Sequence, residues 1–332
     1  MLHDKPPLAM TMGDPAGIGP ELSLLAWRER RRGDAPFFLL AAPAHLAAIA
    51  RRTGIDAPII ETEPSQTAGA IERGLPVVPL ENPVEAEPGR PDACNGEAII
   101  ESIARAVSAA RSGEARAVVT NPIAKAVLYA AGFRFPGHTE YLGDLAKAWE
   151  EPAFPVMMIW SEALAVVPVT IHIPLSEAPK ALSVDLIVKT ARMVDRDLRA
   201  RFGLAQPRLA LAGLNPHAGE GGAMGREEIT IIAPAIEQLR AEGVDAVGPL
   251  PADTMFHAKA RARYDVALTM YHDQGLIPVK TLAFDDGVNV TLGLPFVRTS
   301  PDHGTAFDIA GKGVANPASL IAALKLADRL TR

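Results

Sequence analysis

The sequence contains almost no cysteine, since Cys94 is the only one in 332 residues. A single thiol cannot form a disulfide within the chain, which excludes a disulfide-stabilised scaffold and favours a reducing compartment. The first residues also lack the apolar core of a secretory signal and the composition of a transit peptide. We therefore expect a cytoplasmic protein.

The chain also lacks an excess of basic residues and a long uninterrupted apolar run. Its formal net charge is −6, whereas a nucleic-acid-binding surface calls for a basic excess or stripe. The most apolar window, residues 155–174, is interrupted by Glu162, His172 and prolines, so it does not suit a membrane span. We expect neither nucleic acid nor a membrane as a partner.

A third feature that the sequence lacks is the dinucleotide-binding fingerprint. A predicted strand at residues 8–12 leads into the turn GDPAGIG at 13–19, and a helix follows with Pro20 near its start. The glycines of this turn have the spacing G-x-x-x-G-x-G in place of G-x-G-x-x-G. We interpret the turn as a tight structural loop near the active site, with direct binding of cofactor phosphate as the alternative.

What the sequence does contain is a regular alternation of strand and helix patterns. Short apolar runs predict strands, and apolar residues at helical spacing, such as Ile99, Ile103 and Val107, predict the helices between them. This alternation is typical of a parallel sheet in an α/β protein, and the length suits two domains. Two of the predicted helices bear on the site, since one begins at Asn121 and another has Thr139 as its N-cap.

Three histidines lie at or just beyond the ends of predicted strands. The strands cover residues 164–171, 208–213 and 266–271, and the histidines are His172, His217 and His272. Open α/β sheets bind ligands beyond the carboxyl ends of their strands, so three imidazoles at one edge can converge on a metal. Such a set leaves an open coordination position and favours Zn²⁺ or a neighbouring transition ion over Mg²⁺. Because the spacing follows no local metal motif, the alternative is that these histidines are surface polar groups around core strands.

Other polar residues suit an anionic ligand. Lys280, Asn289 and Arg298 supply an ammonium, an amide and a guanidinium, which together fit a phosphate or a carboxylate. His138 precedes the predicted N-cap Thr139, and helix N-termini favour anions. The alternative is that these are ordinary surface groups and that His138 is hydrogen-bonded within a loop.

Longer segments along the chain resemble the signatures of the 4-hydroxythreonine-4-phosphate dehydrogenase family. They are MGDPAGIGPE (12–21), TNPIAK (120–125), FPGHTEYLGDL (135–145), GLNPHAGEGG (213–222), GPLPADTMF (248–256), MYHDQGLIPVK (270–280) and GVNVTLGLPFVRTSPDHGTAFDIAG (287–311). The resemblance implies oxidation of the 3-hydroxyl of 4-phosphohydroxy-L-threonine with NAD(P)⁺ in pyridoxal 5′-phosphate biosynthesis. The product, 2-amino-3-oxo-4-phosphooxybutanoate, then loses CO₂ to give 3-amino-2-oxopropyl phosphate. Members of this family are cytoplasmic homodimers whose two subunits together build a divalent-metal site.

The resemblance also implies roles for individual residues. It makes the metal ligands His172, His217 and His272. It makes the substrate-binding set His138, Thr139, Lys280, Asn289 and Arg298. Asp253 and Asp273 are expected to orient these groups or to accept a proton, and Lys280 is a further catalytic candidate. The general base is left open among these three.

Residues 303–317 resemble the adenosine-binding loop of isopropylmalate and isocitrate dehydrogenases, which bind a dinucleotide without the glycine fingerprint. This implies a three-layer α/β/α fold of that type, with cofactor contacts from His303, Gly304, Asp308 and Asn316. A carboxylate at Asp308 would lie by the adenosine ribose and repel a 2′-phosphate, so we expect NAD⁺, with NADP⁺ as the alternative. Those relatives hold Mg²⁺ or Mn²⁺ with carboxylates. Because histidines stand here, we expect Zn²⁺, with Co²⁺ or Mg²⁺ as alternatives.

We expect two α/β domains with the active site in the cleft between them. The first comprises residues 1–130 and 300–332 with the cofactor loop, and the second comprises 131–299 with the metal and substrate residues and the dimer contacts. Two rival functions are dehydrogenation of a phosphorylated sugar acid and of a carboxylated aromatic dihydrodiol. Rivals of other classes are a non-redox zinc hydrolase and a binding protein without turnover.

Overall fold

The chain divides into two compact units in the computed structural model, which describes residues 5–135, 137–149 and 153–332. The first unit runs to Ala153 and resumes at Leu294, and the second is Phe154–Gly293. These bounds differ from the expected ones at 130 and 300. The helices that follow residue 130 pack with the first unit, and the strand that contains Arg298 pairs there as well. Arg298 therefore belongs to the first unit and not, as expected, to the second.

The first unit is built on a parallel sheet. Its strands are β1 (Leu8–Thr11), β2 (Phe37–Ala41), β3 (Ile59–Glu61), β4 (Leu75–Pro79), β5 (Ala117–Val119) and β12 (Val297–Pro301), in the order β3-β4-β2-β1-β5-β12. Every residue of β1 and β2 is buried, as expected of parallel strands that are covered on both faces. The turn after β1, the end of β5 and the segment after β12 therefore leave the sheet at the same edge.

The helices of the first unit follow the predicted alternation. They are α1 (Gly19–Arg28), α2 (Pro43–Thr53), α3 (Thr67–Ala70), α4 (Gly96–Ser112), α5 (Lys125–Ala130), α6 (His138–Leu145) and α13 (Ala318–Leu330), with 3₁₀ turns at Pro64–Gln66, Ala93–Asn95 and Ala146–Ala148. In α4 the predicted apolar face of Ile99, Ile103 and Val107 is buried. Gly113 then ends this helix in the left-handed conformation that favours glycine.

Helix α5 begins at Lys125, so the prediction that it begins at Asn121 was wrong. The buried side chain of Asn121 donates to the Thr11 carbonyl (2.9 Å) and to the Ser23 hydroxyl (3.0 Å). These bonds tie the segment to β1 and α1, and Pro122 follows directly. Residues 121–124 therefore cross the end of the sheet before the helix starts.

The second unit has a mixed sheet. Its strands are β6 (Val156–Trp160), β7 (Ala165–Thr170), β8 (Arg208–Ala212), β9 (Asp245–Leu250), β10 (Val266–Tyr271) and β11 (Val288–Leu292), in the order β11-β6-β7-β10-β8-β9. β6 pairs antiparallel with β11 and β7, whereas β7, β10, β8 and β9 are parallel to one another. The carboxyl ends of β7, β10 and β8 therefore lie side by side.

Helices and short turns connect the strands of the second unit. They are α7 (Ala178–Ala181), α8 (Val184–Ala200), α9 (Ala233–Ala241), α10 (Ala252–Met255), α11 (Ala258–Arg261) and α12 (His272–Leu282), with a 3₁₀ turn at Leu175–Glu177, a left-handed turn within Pro216–Gly222 and a π-helical turn at Glu228–Ile232. Helix α12 is anchored by Leu276 and Val279, which pack into a core with Ile159 and Val166. None of the helices in the described ranges is both long and apolar enough to cross a membrane.

Candidate active site

Two of the three candidate metal ligands lie next to each other in the second unit. His172 follows β7, and His272 is the first residue of α12, directly after β10. Because β7 and β10 are parallel neighbours, their ends bring the two imidazole rings to a centroid distance of 5.6 Å. The hydroxyl of Thr170 donates to the Met270 carbonyl (2.7 Å) and so ties the two strand ends together.

The third histidine, His217, is carried by a turn of its own. Residues 217–221 of Pro216–Gly222 all have positive φ angles, a conformation that costs about 1–2 kcal/mol for each residue with a Cβ. The turn lies against Glu228, which is 3% exposed and accepts bonds from the Asn215 backbone N–H (2.7 Å) and side-chain amide (3.0 Å). His172 also has a positive φ, 51°. Such outliers persist where the surroundings fix the backbone and often mark functional sites.

Within the described ranges, no group of three or more His, Cys, Asp or Glu side chains could hold a metal ion. The chain therefore brings His172 and His272 together but does not join His217 to them. The reason is that His217 lies well beyond Ala212, the last residue of β8, on the left-handed turn. The metal-binding role of the three histidines stays a prediction.

A buried glutamine links the segments that carry His217 and His272. Gln274 is 8% exposed, and its Nε2 donates to the Gly213 carbonyl (2.7 Å) just beyond β8. Its Oε1 accepts from the Met270 N–H (2.7 Å) of β10. Gln274 is thus a rigid connection between the two strand ends, because both polar ends of its amide are used.

Beside His272 lies a carboxylate that can orient the ring. Asp273 Oδ1 is 2.7 Å from His272 Nδ1, which fixes one ring nitrogen and leaves Nε2 for a ligand. The two residues share a cavity of about 220 Å³ with His172 and Tyr271. The cavity is large enough for a small polar group next to both imidazoles.

The remaining candidates of the second unit lie on elements around these histidines. Asp253 is exposed on α10, which packs against the turn that carries His217. Lys280 is near the end of α12, and Asn289 is on β11. Both α12 and β11 pack against β6, so the two residues belong to neighbouring elements.

In the first unit, Arg298 lies on β12 at the centre of a buried polar site. It is 3% exposed, and its Nε and Nη2 donate to the Thr120 hydroxyl at 3.1 and 2.6 Å. Burial lowers the pKa of Arg298 to about 10, so the guanidinium is still charged at neutral pH. Thr120, which holds this side chain in place, follows β5, the neighbour of β12.

His138 is the first residue of α6, after Gly137. Thr139 lies inside the first turn, so its prediction as the N-cap was wrong; the extended Gly137 occupies that position without a side-chain bond. Burial, followed by the charges of Arg298 and Lys125, holds the pKa of His138 well below its ordinary value. Its Nε2 is buried and lacks a hydrogen-bond partner in the described part of the chain. A neutral imidazole with an open nitrogen therefore lies near two cations.

The candidate cofactor loop follows β12 in the first unit. His303, Gly304 and Asp308 are exposed, as is Asn316, whose side chain accepts from the Ala318 N–H (3.0 Å) at the start of α13. The glycine-rich turn at 13–19 packs against this loop. That turn is tight, as predicted, because a Cβ at Gly17 would lie 2.9 Å from the Thr305 carbonyl oxygen.

Sequence reasoning missed several groups that surround the candidates. Thr120 and Glu228 are not predicted at the site, Gln274 is predicted only as one of the polar residues that follow the strand at 266–271, and Lys125 stands only within the motif TNPIAK. Each acts on a candidate residue, or on a segment that carries one, through a contact that no local pattern reveals. A further signal is that Lys125, Thr120 and Gln274 fall within segments that carry the family resemblance.

Comparisons with known proteins show the family to which the chain belongs. The family model described as "Pyridoxal phosphate biosynthetic protein PdxA" matches residues 34–327. The chain is 62% identical to 4-hydroxythreonine-4-phosphate dehydrogenase of Methylorubrum populi, across 100% of this chain and 96% of that protein. The crystal structure of the enzyme of the same name from Klebsiella pneumoniae matches with a TM-score of 0.86 and 38% identity, covering 99% of this chain and 98% of that one.

A more distant solved structure is terephthalate 1,2-cis-dihydrodiol dehydrogenase of Burkholderia xenovorans. It matches with a TM-score of 0.64 and 29% identity, over 97% of both chains. The fold and these relatives define an α/β oxidoreductase, which confirms the expected fold class. The chain belongs to the 4-hydroxythreonine-4-phosphate dehydrogenase family, that of pyridoxal phosphate biosynthetic protein PdxA.

Proposed function

We propose that this protein oxidises the 3-hydroxyl of 4-phosphohydroxy-L-threonine with NAD⁺, in a reaction that depends on a divalent metal. The product, 2-amino-3-oxo-4-phosphooxybutanoate, loses CO₂ to give 3-amino-2-oxopropyl phosphate for pyridoxal 5′-phosphate biosynthesis. The name of the relatives supports the substrate and the oxidation. The structural observation that carries the proposal is the buried cationic site around Arg298, which suits a phosphorylated substrate.

The substrate-binding set begins with this cationic site. Arg298 is held ready by Thr120 and presents a charged fork, the group best suited to a phosphate or carboxylate. His138 is neutral, and its Nε2 has no hydrogen-bond partner within the described residues. It can therefore form a hydrogen bond with a substrate oxygen without adding charge to the site. Thr139 lies beside it, and Lys280 and Asn289 complete the proposed set.

The donor set fits a divalent metal in its chemistry. His172 and His272 lie side by side, and Asp273 holds one nitrogen of His272, as carboxylates do for metal-binding imidazoles. His217 completes the proposed set, and three imidazoles suit Zn²⁺ best, with Co²⁺ and Mg²⁺ as alternatives. When bound, the metal supplies a Lewis acid for the alcohol oxygen and for the charge that develops there.

A homodimer that shares its active site accounts for the separation of His217 from the other two histidines. The described residues of one chain do not hold three donors together, which supports a site that a second subunit completes. Large apolar side chains are exposed on the second unit, including Leu175 (67%), Ile277 (66%) and Phe284 (79%). A second subunit that covers these side chains would remove their apolar surface from water. We propose that the dimer works in the cytoplasm.

The redox step needs a base and a dinucleotide. Hydride leaves C3 of the substrate for NAD⁺, and the hydroxyl proton goes to a protein base. Asp273 already bonds to His272, which suits an orienting role and leaves Asp253 and Lys280 as the stronger candidates for the base. The exposed carboxylate of Asp308 supports NAD⁺ over NADP⁺, because it accepts from a ribose diol and repels a 2′-phosphate. His303, Gly304 and Asn316 share this proposed loop.

The test is NADH formation from 4-phosphohydroxy-L-threonine and NAD⁺, measured with purified protein before and after chelation and after restoring Zn²⁺, Co²⁺ or Mg²⁺. We expect turnover that is lost with the metal and returns on its addition. Hydrolysis without NAD⁺ would favour a zinc hydrolase, and ligand binding without turnover under every condition would favour a binding protein. Either outcome would overturn the proposed reaction.

A second candidate is a dehydrogenase of a different alcohol in the same superfamily. The likeness to terephthalate 1,2-cis-dihydrodiol dehydrogenase favours a carboxylated aromatic dihydrodiol, and a phosphorylated sugar acid would suit the same cationic site. The discriminating measurement compares kcat/KM for each substrate class. A preference for the dihydrodiol, with no need for phosphate, would replace the first proposal.

A further inference from the structure

A buried carboxylate lies beneath the proposed cofactor loop. Glu21 is in the first turn of α1 and is 1% exposed. Its carboxylate accepts the backbone N–H of Gly311 and that of Gly313, the latter at 3.0 Å. One side chain of the first helix therefore fixes two points of the loop at 303–316, nearly three hundred residues away in sequence.

The position of this carboxylate is not accounted for by packing alone. Burying a charged group is costly unless hydrogen bonds replace its water. Backbone N–H groups provide such bonds here, and the N-terminus of α1 adds a favourable dipole. A glutamate at this point is therefore stable only if the loop keeps its two N–H groups aimed at it. The helix and the loop determine each other's conformation.

Glycines allow the loop to reach Glu21. Gly311 and Gly313 have φ angles of +75° and +70°, which other residues rarely adopt. A Cβ at Gly311 would also lie 2.9 Å from Nε of Arg52, and the same Nε donates to the Gly311 carbonyl (3.3 Å). At the start of the loop, the Ile18 N–H donates to the Thr305 carbonyl (3.0 Å).

These contacts divide the loop into a fixed side and an open side. The backbone of Thr305, Gly311 and Gly313 is bound to the body of the first unit. The side chains of His303 and Asp308 face solvent. The groups that would recognise adenosine are thus presented by a backbone that is set before any ligand arrives, which reduces the ordering cost of binding.

We propose that Glu21 is a positioning residue for the dinucleotide, because it holds the loop at 303–316 in the shape that binds the adenosine half. The inference rests on the proposed cofactor role of this loop. Glu21 does not touch the cofactor in this proposal. Its effect is on NAD⁺ affinity through the loop backbone, and not on the chemical step.

The test replaces Glu21 with glutamine, which keeps the size of the side chain but can accept only one of the two N–H groups well. The matched control is Glu101→Gln. Glu101 is a glutamate of α4 that also accepts two backbone N–H groups, from Glu81 (2.8 Å) and Asn82 (2.9 Å), in a loop with no proposed function. Glu21→Asp, which keeps the charge on a shorter chain, is the second variant if glutamine impairs folding.

The measurements are the NAD⁺ dissociation constant by calorimetry, KM for each substrate, and hydrogen exchange of peptides that cover residues 303–316 without ligand. For Glu21→Gln we expect NAD⁺ affinity to fall about tenfold, or about 1.4 kcal/mol. We also expect faster exchange within 303–316, with kcat at saturating NAD⁺ and KM for the alcohol nearly unchanged. Glu101→Gln should speed exchange near residue 81 and leave NAD⁺ affinity unchanged.

Three outcomes would overturn the inference, and they can be told apart. If NAD⁺ protects residues 303–316 in the wild-type protein but binds Glu21→Gln equally well, the inference about Glu21 is wrong and the cofactor loop stands. If NAD⁺ binds the wild-type protein without protecting these residues, the loop assignment itself is wrong, and the inference falls with it. An equal loss of NAD⁺ affinity in Glu101→Gln would also overturn the inference, since the effect would then be general.

Discussion

Replacing Arg298 with lysine tests the cationic site most directly. The substitution keeps a positive charge but removes the planar fork, whose Nε and Nη2 are held 3.1 and 2.6 Å from the Thr120 hydroxyl. A lysine ammonium at the end of a flexible chain cannot be fixed by one hydroxyl in the same way. We therefore expect weaker binding of the phosphorylated substrate, although the net charge is unchanged.

The magnitude follows from the bond that is lost. A hydrogen bond to a charged group contributes about 1.5–3 kcal/mol, and about 1.4 kcal/mol corresponds to tenfold in affinity. Loss of one arm of the fork should therefore raise KM by about 10- to 100-fold. If Arg298 binds the substrate and its transition state equally, kcat should stay close to that of the wild type.

The assay is steady-state NADH formation together with the dissociation constant of inorganic phosphate. Arg208→Lys is the matched control, because Arg208 also lies on a strand and forms a two-pronged contact, there with Asp265. It should leave KM unchanged. An Arg298→Lys protein that folds normally and binds substrate and phosphate like the wild type would refute the reasoning.

Three further predictions concern the groups around the candidate ligands. The pKa of His138 is lower in the folded protein than in the unfolded chain, so the unfolded chain binds a proton on this imidazole more readily. The free energy of unfolding should therefore be greatest above about pH 6.5 and should fall below it by at most about 1.4 kcal/mol per pH unit. Urea unfolding of the wild type and of His138→Gln across this range measures the effect, and parallel curves would contradict the prediction. Gln274→Met should lower the free energy of unfolding by about 1–3 kcal/mol, because the Gly213 carbonyl and the Met270 N–H lose a buried partner. Gln238→Met, at an exposed position, is the control. An equal loss of unfolding free energy in both variants would count against the proposed connection through Gln274. Glu228→Gln should weaken metal binding about 10- to 100-fold, because it loosens the turn that carries His217. Competition with a chelator measures the metal affinity. An unchanged affinity would show that other contacts hold the turn.

The sequence was most informative about strands, because a strand can be predicted from a short continuous run of apolar residues. The apolar runs at residues 164–171 and 266–271 predict β7 and β10, and the bounds of β10 are the observed ones, because strands covered on both faces need continuous apolar residues. The placement of His172 and His272 at strand ends follows from the same runs. Their proximity depends on β7 and β10 being neighbours, which the strand pattern alone does not specify.

The details that could not be predicted depend on contacts between distant segments. No local signal indicates that Asn121 would bond to Thr11 and keep α5 from starting until Lys125. The position of His217 could not be predicted either. Its turn consists of consecutive residues in the left-handed conformation, and several of them are not glycine. Helix and turn propensities describe common conformations, so strained ones held by tertiary contacts are missed.

The two units use the same physical device to hold their loops. In the first, Glu21 lies in the first turn of a helix and accepts two backbone N–H groups of the proposed cofactor loop. In the second, Glu228 begins a π-helical turn and accepts two N–H groups of Asn215, at the base of the turn that carries His217. Each carboxylate is almost fully buried, so each is stable only while its loop stays in place. The loops that carry candidate ligand-binding residues are therefore fixed by the fold itself, and binding need not pay to order them.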